Sequence, residues 1–293
     1  MSLKILAHLI SLGVLLIIPF KVLGVTNVVY PSFQSDNDSR FSDLIELLQL
    51  SLDKTKKEYG AATIKQASDR FNEKRAQSLI KSGVLDVIWY SSNSKIEEEL
   101  YPIRIPLRKG LMGFRIFLIN KENQKKFSSL KTLAEFKKLS VGQGADWGDV
   151  GVFRANKIEV FEGSTYEGLF QMVVNNRFDY FSRGVNEAIP EWNSRKKNLP
   201  KLGVEKDVLL FYPWPYYFFV SKKNKSLGIR IKMGLEKAIQ DGSFNKIFYK
   251  YHLSTIQKSD LKNRKMFKIP NPLLPKETPL SRKELWLDPL NMR

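Results

Sequence analysis

The sequence predicts an α/β protein built largely on parallel strands. Two observations carry this. Short apolar runs alternate with stretches of helical period, and several of the runs, Val84–Tyr90 among them, are apolar on both faces. A strand covered by helices on both sides needs such a run, whereas a strand with one wet face alternates.

The elements follow in order. Met1–Gly24 reads MSLKILAHLISLGVLLIIPFKVLG, with a lysine, an apolar run from Ile5 to Phe20, then Val22 and Gly24 as small residues. This is the three-part pattern of a secretion signal cleaved after Gly24. The alternative is a retained anchor, but His8, Ser11, Gly13 and Pro19 interrupt the run, which is shorter than the ~20 apolar residues of a membrane span. Val25–Tyr30 is a strand closed by Pro31, and Ser35–Arg40 is a polar loop. Ser42 opens a helix whose stripe is Leu44, Ile45, Leu47, Leu48 and Leu52, ending at Tyr59–Gly60. A second helix covers about Ser68–Lys81 and closes at Gly83, before the buried strand Val84–Tyr90.

Leu100–Gly113, rich in proline and glycine, leads into another buried strand, Phe114–Ile119. The rhythm then restarts: helix Leu130–Leu139, a glycine-bearing turn from Val141, helix Val150–Asn156, strand Ile158–Phe161, helix Tyr166–Asn175, strand Phe178–Phe181. Val185–Lys196 is a further helix that Pro190 kinks or splits. Val208–Phe211 is a strand, and helices cover Ser226–Gln240 and Phe244–Tyr251. Pro270, Pro272, Pro275, Pro279 and Pro289 preclude a long helix in the last forty residues, which read as an extended tail on the surface or loose.

Composition narrows the chemistry. Removing the signal leaves about 269 residues of the 293, enough for one large or two medium domains. Cysteine is absent, which excludes thiol nucleophiles, thiolate metal sites and disulfide staples. His252 is the only histidine beyond the signal, and no GxSxG elbow accompanies it, so it reads as an ordinary polar or helix-terminal histidine. The formal charge is +18, scattered in small clusters without a nucleic-acid motif, so most of it reads as solvated surface.

Four segments together resemble the family 3 extracellular solute-binding proteins, which serve amino-acid ABC importers. They are Ser78-Leu-Ile-Lys-Ser-Gly-Val-Leu-Asp-Val-Ile-Trp89, then Leu130–Gly144 with its Val-Gly-Gln-Gly ending, then Gly163–Tyr180 with Asn-Arg-Phe-Asp near its end, and Leu235–Phe244 with Gln-Asp-Gly-Ser-Phe. Their order and spacing cover most of residues 25–252. Gly110–Ile116, Gly142–Trp147 and Phe178–Glu187 are similar to a branch of that superfamily known by its fold more than by its ligands.

The resemblance implies a two-lobed fold of the periplasmic-binding-protein type II, with two crossing hinge strands. Lobe 1 would be 25–113 plus 219–255, lobe 2 114–218, and the tail 256–293. Gly113–Ile119 and Pro213–Val220 have the character of the crossings. One departure stands out. Amino-acid binders place an arginine after a Thr- or Ser-bearing loop to grip the ligand's α-carboxylate, and Tyr90–Glu99 offers only Lys95, a point charge.

In such a fold the ligand touches loops at the strand C-terminal ends of both lobes. Candidates in lobe 1 are Tyr30, Trp89, Ser91 and Ser92; Trp89 and its neighbour Tyr90 stack on a ligand or belong to the core. In lobe 2 they are Gln143, Gly144, Asp146 and Trp147, in a turn that is either a ligand loop or a plain βα turn. Arg183, with Gly184, Asn186 and Glu187, is a ligand clamp or an interlobe latch. Arg115 in the first crossing meets a carboxylate or a ligand, and Tyr216 and Tyr217 are wall or hinge packing.

The expected function is a secreted binding protein holding a small polar or anionic molecule, without catalysis or cofactor. The expected partners are that ligand and an ABC permease or membrane sensor, with no nucleic acid; the protein is expected to be a monomer. Without a lipobox cysteine the expected compartment is the periplasm. The alternatives are a dehydratase-like enzyme using carboxylates such as Asp146, Glu167 and Glu187, and a ligand-sensing partner of a membrane receptor.

Overall fold

The computed structural model describes residues 25–32, 41–69, 73–145 and 147–289. The expected signal at 1–24, the loop expected at 35–40, and Asp146 lie outside the described residues.

The chain first builds one lobe. Strand β1 (Thr26–Tyr30) leads to helix α1 (Ser42–Asp53), whose Leu44, Leu47, Leu48 and Leu52 turn inward. A one-turn helix α2 (Lys56–Tyr59) ends at Gly60, and β2 (Ala62–Gln66) runs back parallel to β1. Neither periodicity nor apolar content marks β2 in the sequence; pairing with β1 makes it a strand. Helix α3 (Glu73–Ser82), closed by Gly83 at φ +82°, precedes β3 (Ile88–Ser91). Helix α4 (Ser94–Glu99), capped by the Asn93 side chain, and β4 (Tyr101–Ile103) follow.

Strand β5 (Phe114–Asn120) starts the second lobe and is buried throughout. Helix α5 (Gln124–Ser128) has no counterpart in the sequence reading, and α6 (Leu133–Phe136), started by a Thr132–Glu135 capping box, is shorter than the helix expected over Leu130–Leu139. Then come β6 (Val141–Gly144), α7 (Asp149–Ala155), β7 (Val160–Gly163), α8 (Tyr166–Val174) and β8 (Tyr180–Gly184). Helix α9 (Val185–Arg195) continues through Pro190, and β9 (Leu202–Val204) and β10 (Val208–Phe211) follow.

The chain then returns. Strand β11 (Tyr216–Val220) inserts between β3 and β4, antiparallel to both. Helices α10 (Lys225–Gln240) and α11 (Ser243–Lys258) follow, and β12 (Lys265–Lys268) adds to the second lobe beside β10. The second lobe's sheet runs β12-β10-β5-β8-β6-β7, with β9 also on β5.

This sheet is mixed rather than wholly parallel. Strands β6, β7 and β8 are mutually parallel, but β5 opposes both β8 and β10. The reason is where the chain crosses. β5 begins at the interlobe junction and runs away from it, while β8 and β10 end there: Gly184 and Leu210 both face Arg115. The C-terminal ends of β6 and β8 therefore point toward the other lobe.

The crossings are shorter than the sequence suggests. β5 lies entirely in the large sheet and β11 entirely in the three-stranded one, which leaves the junction to residues near 109–113 and 212–215. The two connections touch. Tyr212 donates its N–H to the Gly113 carbonyl at 3.2 Å, and a Cβ on Gly113 would lie 2.1 Å from the Tyr212 carbonyl oxygen. Only glycine fits there.

Strand alternation divides the first lobe's core. Trp89 and Phe218 face α1 and α10, while Ile88, Tyr217 and Phe219 face α3 and α4. The second lobe has a core on each face of its sheet. Helix α11 straddles the lobes: Phe244 and Ile247 pack in the first, Phe248 and Ile256 in the second.

The tail differs most from expectation. It is extended but neither loose nor merely superficial. Phe267 and Ile269 are buried beside Phe136 in the second lobe. The chain then reaches the first lobe, where the Leu273 carbonyl accepts the Ser94 N–H at 3.2 Å and Arg282 grips Glu236 with both prongs at 2.6 and 2.9 Å. It ends at the junction: Leu287 donates its N–H to the Lys109 carbonyl at 2.8 Å, and Trp286 lies where a Cβ on Gly110 would be. Leu285 enters the first lobe's core and Leu287 the second's. The 3-10 turn at Lys283–Leu285 gives way to extended backbone at Trp286, and this change of direction lets one short segment reach both cores.

Candidate functional site

Arg183 sits at the penultimate position of β8, with its guanidinium under an aromatic roof. Its Cζ is 4.7 Å from the Trp147 ring centre, 5.0 Å from Phe181 and 5.8 Å from Tyr166. The fork is occupied. Nε and Nη2 donate to the two carboxylate oxygens of Glu191 at 2.7 and 2.6 Å, and Glu187 lies 3.3 Å away. Of the ligand clamp and interlobe latch that the sequence left open, neither is the contact seen: both prongs meet Glu191, one helical turn beyond Glu187 in the same lobe. Tyr166 completes the group by donating to Glu191 at 2.7 Å; burial first, then that bond, pushes its phenol well above the usual range.

A second cluster lies on the opposite face of the same sheet. Arg115 is buried and meets the Asp149 carboxylate at 2.7 Å, and Asp149 also accepts the Tyr212 hydroxyl at 2.9 Å. Of the two partners the sequence left open for Arg115, the carboxylate is the one present. Gln143 is fully enclosed here, its amide 3.4 Å from the Ser182 carbonyl and its Oε1 without a partner. Arg115 donates to the same carbonyl at 3.3 Å. Gln143 thus belongs to the network that holds Arg115 rather than to an open loop.

The first lobe contributes a third arginine that the sequence reading missed. Arg108 grips Asp43 with two bonds of 2.7 and 2.8 Å, and its Cζ is 5.7 Å from the ring centres of both Phe41 and Tyr216. His252, from α11, bonds the same carboxylate at 2.9 Å. Trp89 packs behind this group against Tyr30 and Phe41, only 7% exposed, a core ring supporting the wall. No local signal marks the Arg108–Asp43–His252 triplet, because three separate stretches of chain supply it.

The clusters meet at Glu187. Its Oε2 accepts the Gly184 N–H at 2.8 Å, which caps α9. Burial pushes its carboxyl up, but Arg183 and Arg115 from one lobe, the Gly184 N–H and Arg108 from the other lobe outweigh that and hold it below its usual value. Asn186, beside it, has a buried Oδ1 with no partner.

Two other expected residues lie elsewhere. Ser92 donates to Glu97, which Arg104 also grips, and Tyr217 is wholly buried among Ile80, Leu85 and Phe219. β11 alternation explains it: Tyr216 faces the Arg108 side, so its neighbour Tyr217 must face away. Lys95 is exposed on α4. Among the described residues no cluster of three metal-ligating side chains occurs.

Asp43 supplies a pH test. Burial raises its carboxyl pKa, but the Arg108 fork and then His252 lower it further, leaving it well below the usual range. A depressed carboxyl stabilises the fold above its unfolded value, about 3.9, and that contribution is lost as pH falls from there through the folded value. Urea denaturation from pH 6 down to pH 3 should show stability dropping below about pH 4. Asp43→Asn should be less stable at pH 6 and lose less on acidification; an equal slope for both proteins would remove Asp43 from the acid response.

Solved structures with this architecture are two-lobed binding proteins. A probable amino-acid ABC transporter extracellular-binding protein of Bacillus subtilis, YtmK, superposes with TM-score 0.54 at 14% identity, over 78% of this chain and 97% of that one. An ancestral arginine-binding protein bound to arginine gives 0.51 at 18%, over 78% and 98%. The fold is that of the two-lobed solute-binding proteins. YckB of Bacillus subtilis adds a third case, with TM-score 0.50 at 15% identity, over 83% of this chain and 96% of that one. No protein-family profile and no curated protein matches the chain. Trp147, Arg183, Asn186 and Glu187 lie where β6 and β8 end and α9 starts, on the side of the sheet that points toward the other lobe.

Proposed function

We propose that this chain is a secreted solute-binding protein that holds a small polar molecule between its lobes and delivers it to an ABC-type permease. The observation that carries the reading is the convergence on Glu187 of charged groups from both lobes. Residues from two separate cores meet there, where closing lobes would enclose a ligand. Export to the periplasm rests on the Met1–Gly24 pattern and the absence of a lipobox cysteine.

Catalysis is not what the described carboxylates favour. A general acid needs a raised pKa, yet Glu187 and Glu167 are both shifted down, Glu167 first by its bond to Arg195. The proposed role is binding, with a permease or membrane sensor as the downstream partner.

Thermal-shift screening of the purified mature protein against amino acids, organic acids, polyamines and sugars tests the reading. A true ligand at a hundredfold excess over its Kd should add about 3 kcal/mol of stability. Small-angle scattering should show the protein contracting with that ligand. A tight ligand that leaves the radius of gyration unchanged would argue against binding by closure.

A further inference from the structure

The charges at the cleft point to the class of ligand. Three arginines surround it, and in most amino-acid binding sites of this architecture an arginine would be read as a grip for a carboxylate. Here each already has its carboxylate: Arg108 has Asp43, Arg115 has Asp149 and Arg183 has Glu191, at 2.6–2.7 Å. All three pairs are largely buried, with arginine side chains 3–8% exposed and carboxylates 4–12%. An anionic ligand would have to displace a buried carboxylate and leave it uncompensated, which is costly.

Pairing the arginines off leaves Glu187. One of its oxygens caps α9 through the Gly184 N–H and faces Arg183, while no described group donates a hydrogen bond to the other. The side chain keeps 28% of its surface exposed, the most of any carboxylate facing these three arginines. Next to it the buried Oδ1 of Asn186 accepts nothing. The adjacent positions therefore present an ionised acceptor and an unsatisfied neutral acceptor, and buried acceptors without donors are what a donating ligand satisfies.

We infer that the cleft takes a cation rich in hydrogen-bond donors, an alkylammonium or alkylguanidinium compound, with Glu187 as its counter-ion and Asn186 as a second acceptor. The inference rests on the solute-binding reading and narrows it: the ligand needs no carboxylate. The ligand's N–H groups point at Glu187 Oε1 and Asn186 Oδ1, while the Trp147 and Tyr166 rings flank the Arg183 pair beside them.

The test is calorimetric titration of the full mature chain with putrescine and agmatine as cationic probes and succinate and phosphate as anionic ones. The cationic probes are expected to bind and the anionic ones not. Glu187→Gln keeps an acceptor for the Gly184 N–H but removes the charge, and should weaken the cation by about 10- to 150-fold, the range of one charge-assisted bond. Asn186→Asp adds a negative charge at the neighbouring acceptor and should tighten it. Circular dichroism melts of both variants separate loss of binding from loss of folding; if Glu187→Gln does not fold, the Asn186→Asp result decides. Binding of succinate or phosphate, or cation affinity unchanged in a folded variant, overturns the ligand class and leaves the solute-binding reading standing. If no probe of either charge and no compound in the wider screen binds, the solute-binding reading itself fails.

Discussion

Removing the chain after Arg264 should unfold the protein rather than trim it. The lost segment carries Phe267, Ile269, Leu285 and Leu287, each no more than 7% exposed. At about 1.5–3 kcal/mol for each large side chain buried, these four account for roughly 6–12 kcal/mol. A domain's whole net stability is about 5–15 kcal/mol. The shortened chain would also leave β10 as a bare edge and open the Phe136 side of the core. The expected result is loss of the cooperative melting transition, or aggregation on expression. A shortened protein melting within a few degrees of the full chain would mean the tail only rests on the surface. A milder variant, Arg282→Ala, cuts the two-pronged tie to Glu236 while leaving the buried side chains in place, and should let the lobes separate more widely in scattering at little cost in stability.

Arg183→Ala should lower stability sharply. An arginine with a free fork awaiting a ligand would contribute little to the fold. With both prongs on Glu191, whose side chain is 12% exposed, removing the guanidinium strands a buried carboxylate. Breaking such a pair from one side costs about 3–5 kcal/mol. Replacing both partners with apolar residues of similar size, Arg183→Met with Glu191→Leu, should recover most of that loss, because neither charge is then left alone. Chemical denaturation of the wild type, both single variants and the double variant measures the coupling. An alanine variant as stable as the wild type would return Arg183 to the role of free ligand clamp.

The sequence by itself determined the lobes' secondary structure wherever an element carries its own signal. Helix α1 is legible because its leucines repeat at helical spacing, α3 because Gly83 closes it, and β5 because an apolar run broken only by Arg115 needs cover on both faces. The place of Arg183 and Glu187 where a buried strand gives way to a helix was legible too, although β8 runs on through Gly184 and so includes Arg183. Tertiary structure alone decided what these charges do. Arg108 finds Asp43, which His252 also bonds, Arg115 finds Asp149, and Arg183 finds Glu191, so all three arginines become internal ion pairs. It also decided the tail, whose prolines exclude a helix but do not say whether an extended chain will find two open cores to fill. Periodicity is a property of neighbours along the chain, and it fixes which way a side chain faces. The partner that side chain meets comes from a distant segment and is fixed only when the lobes pack.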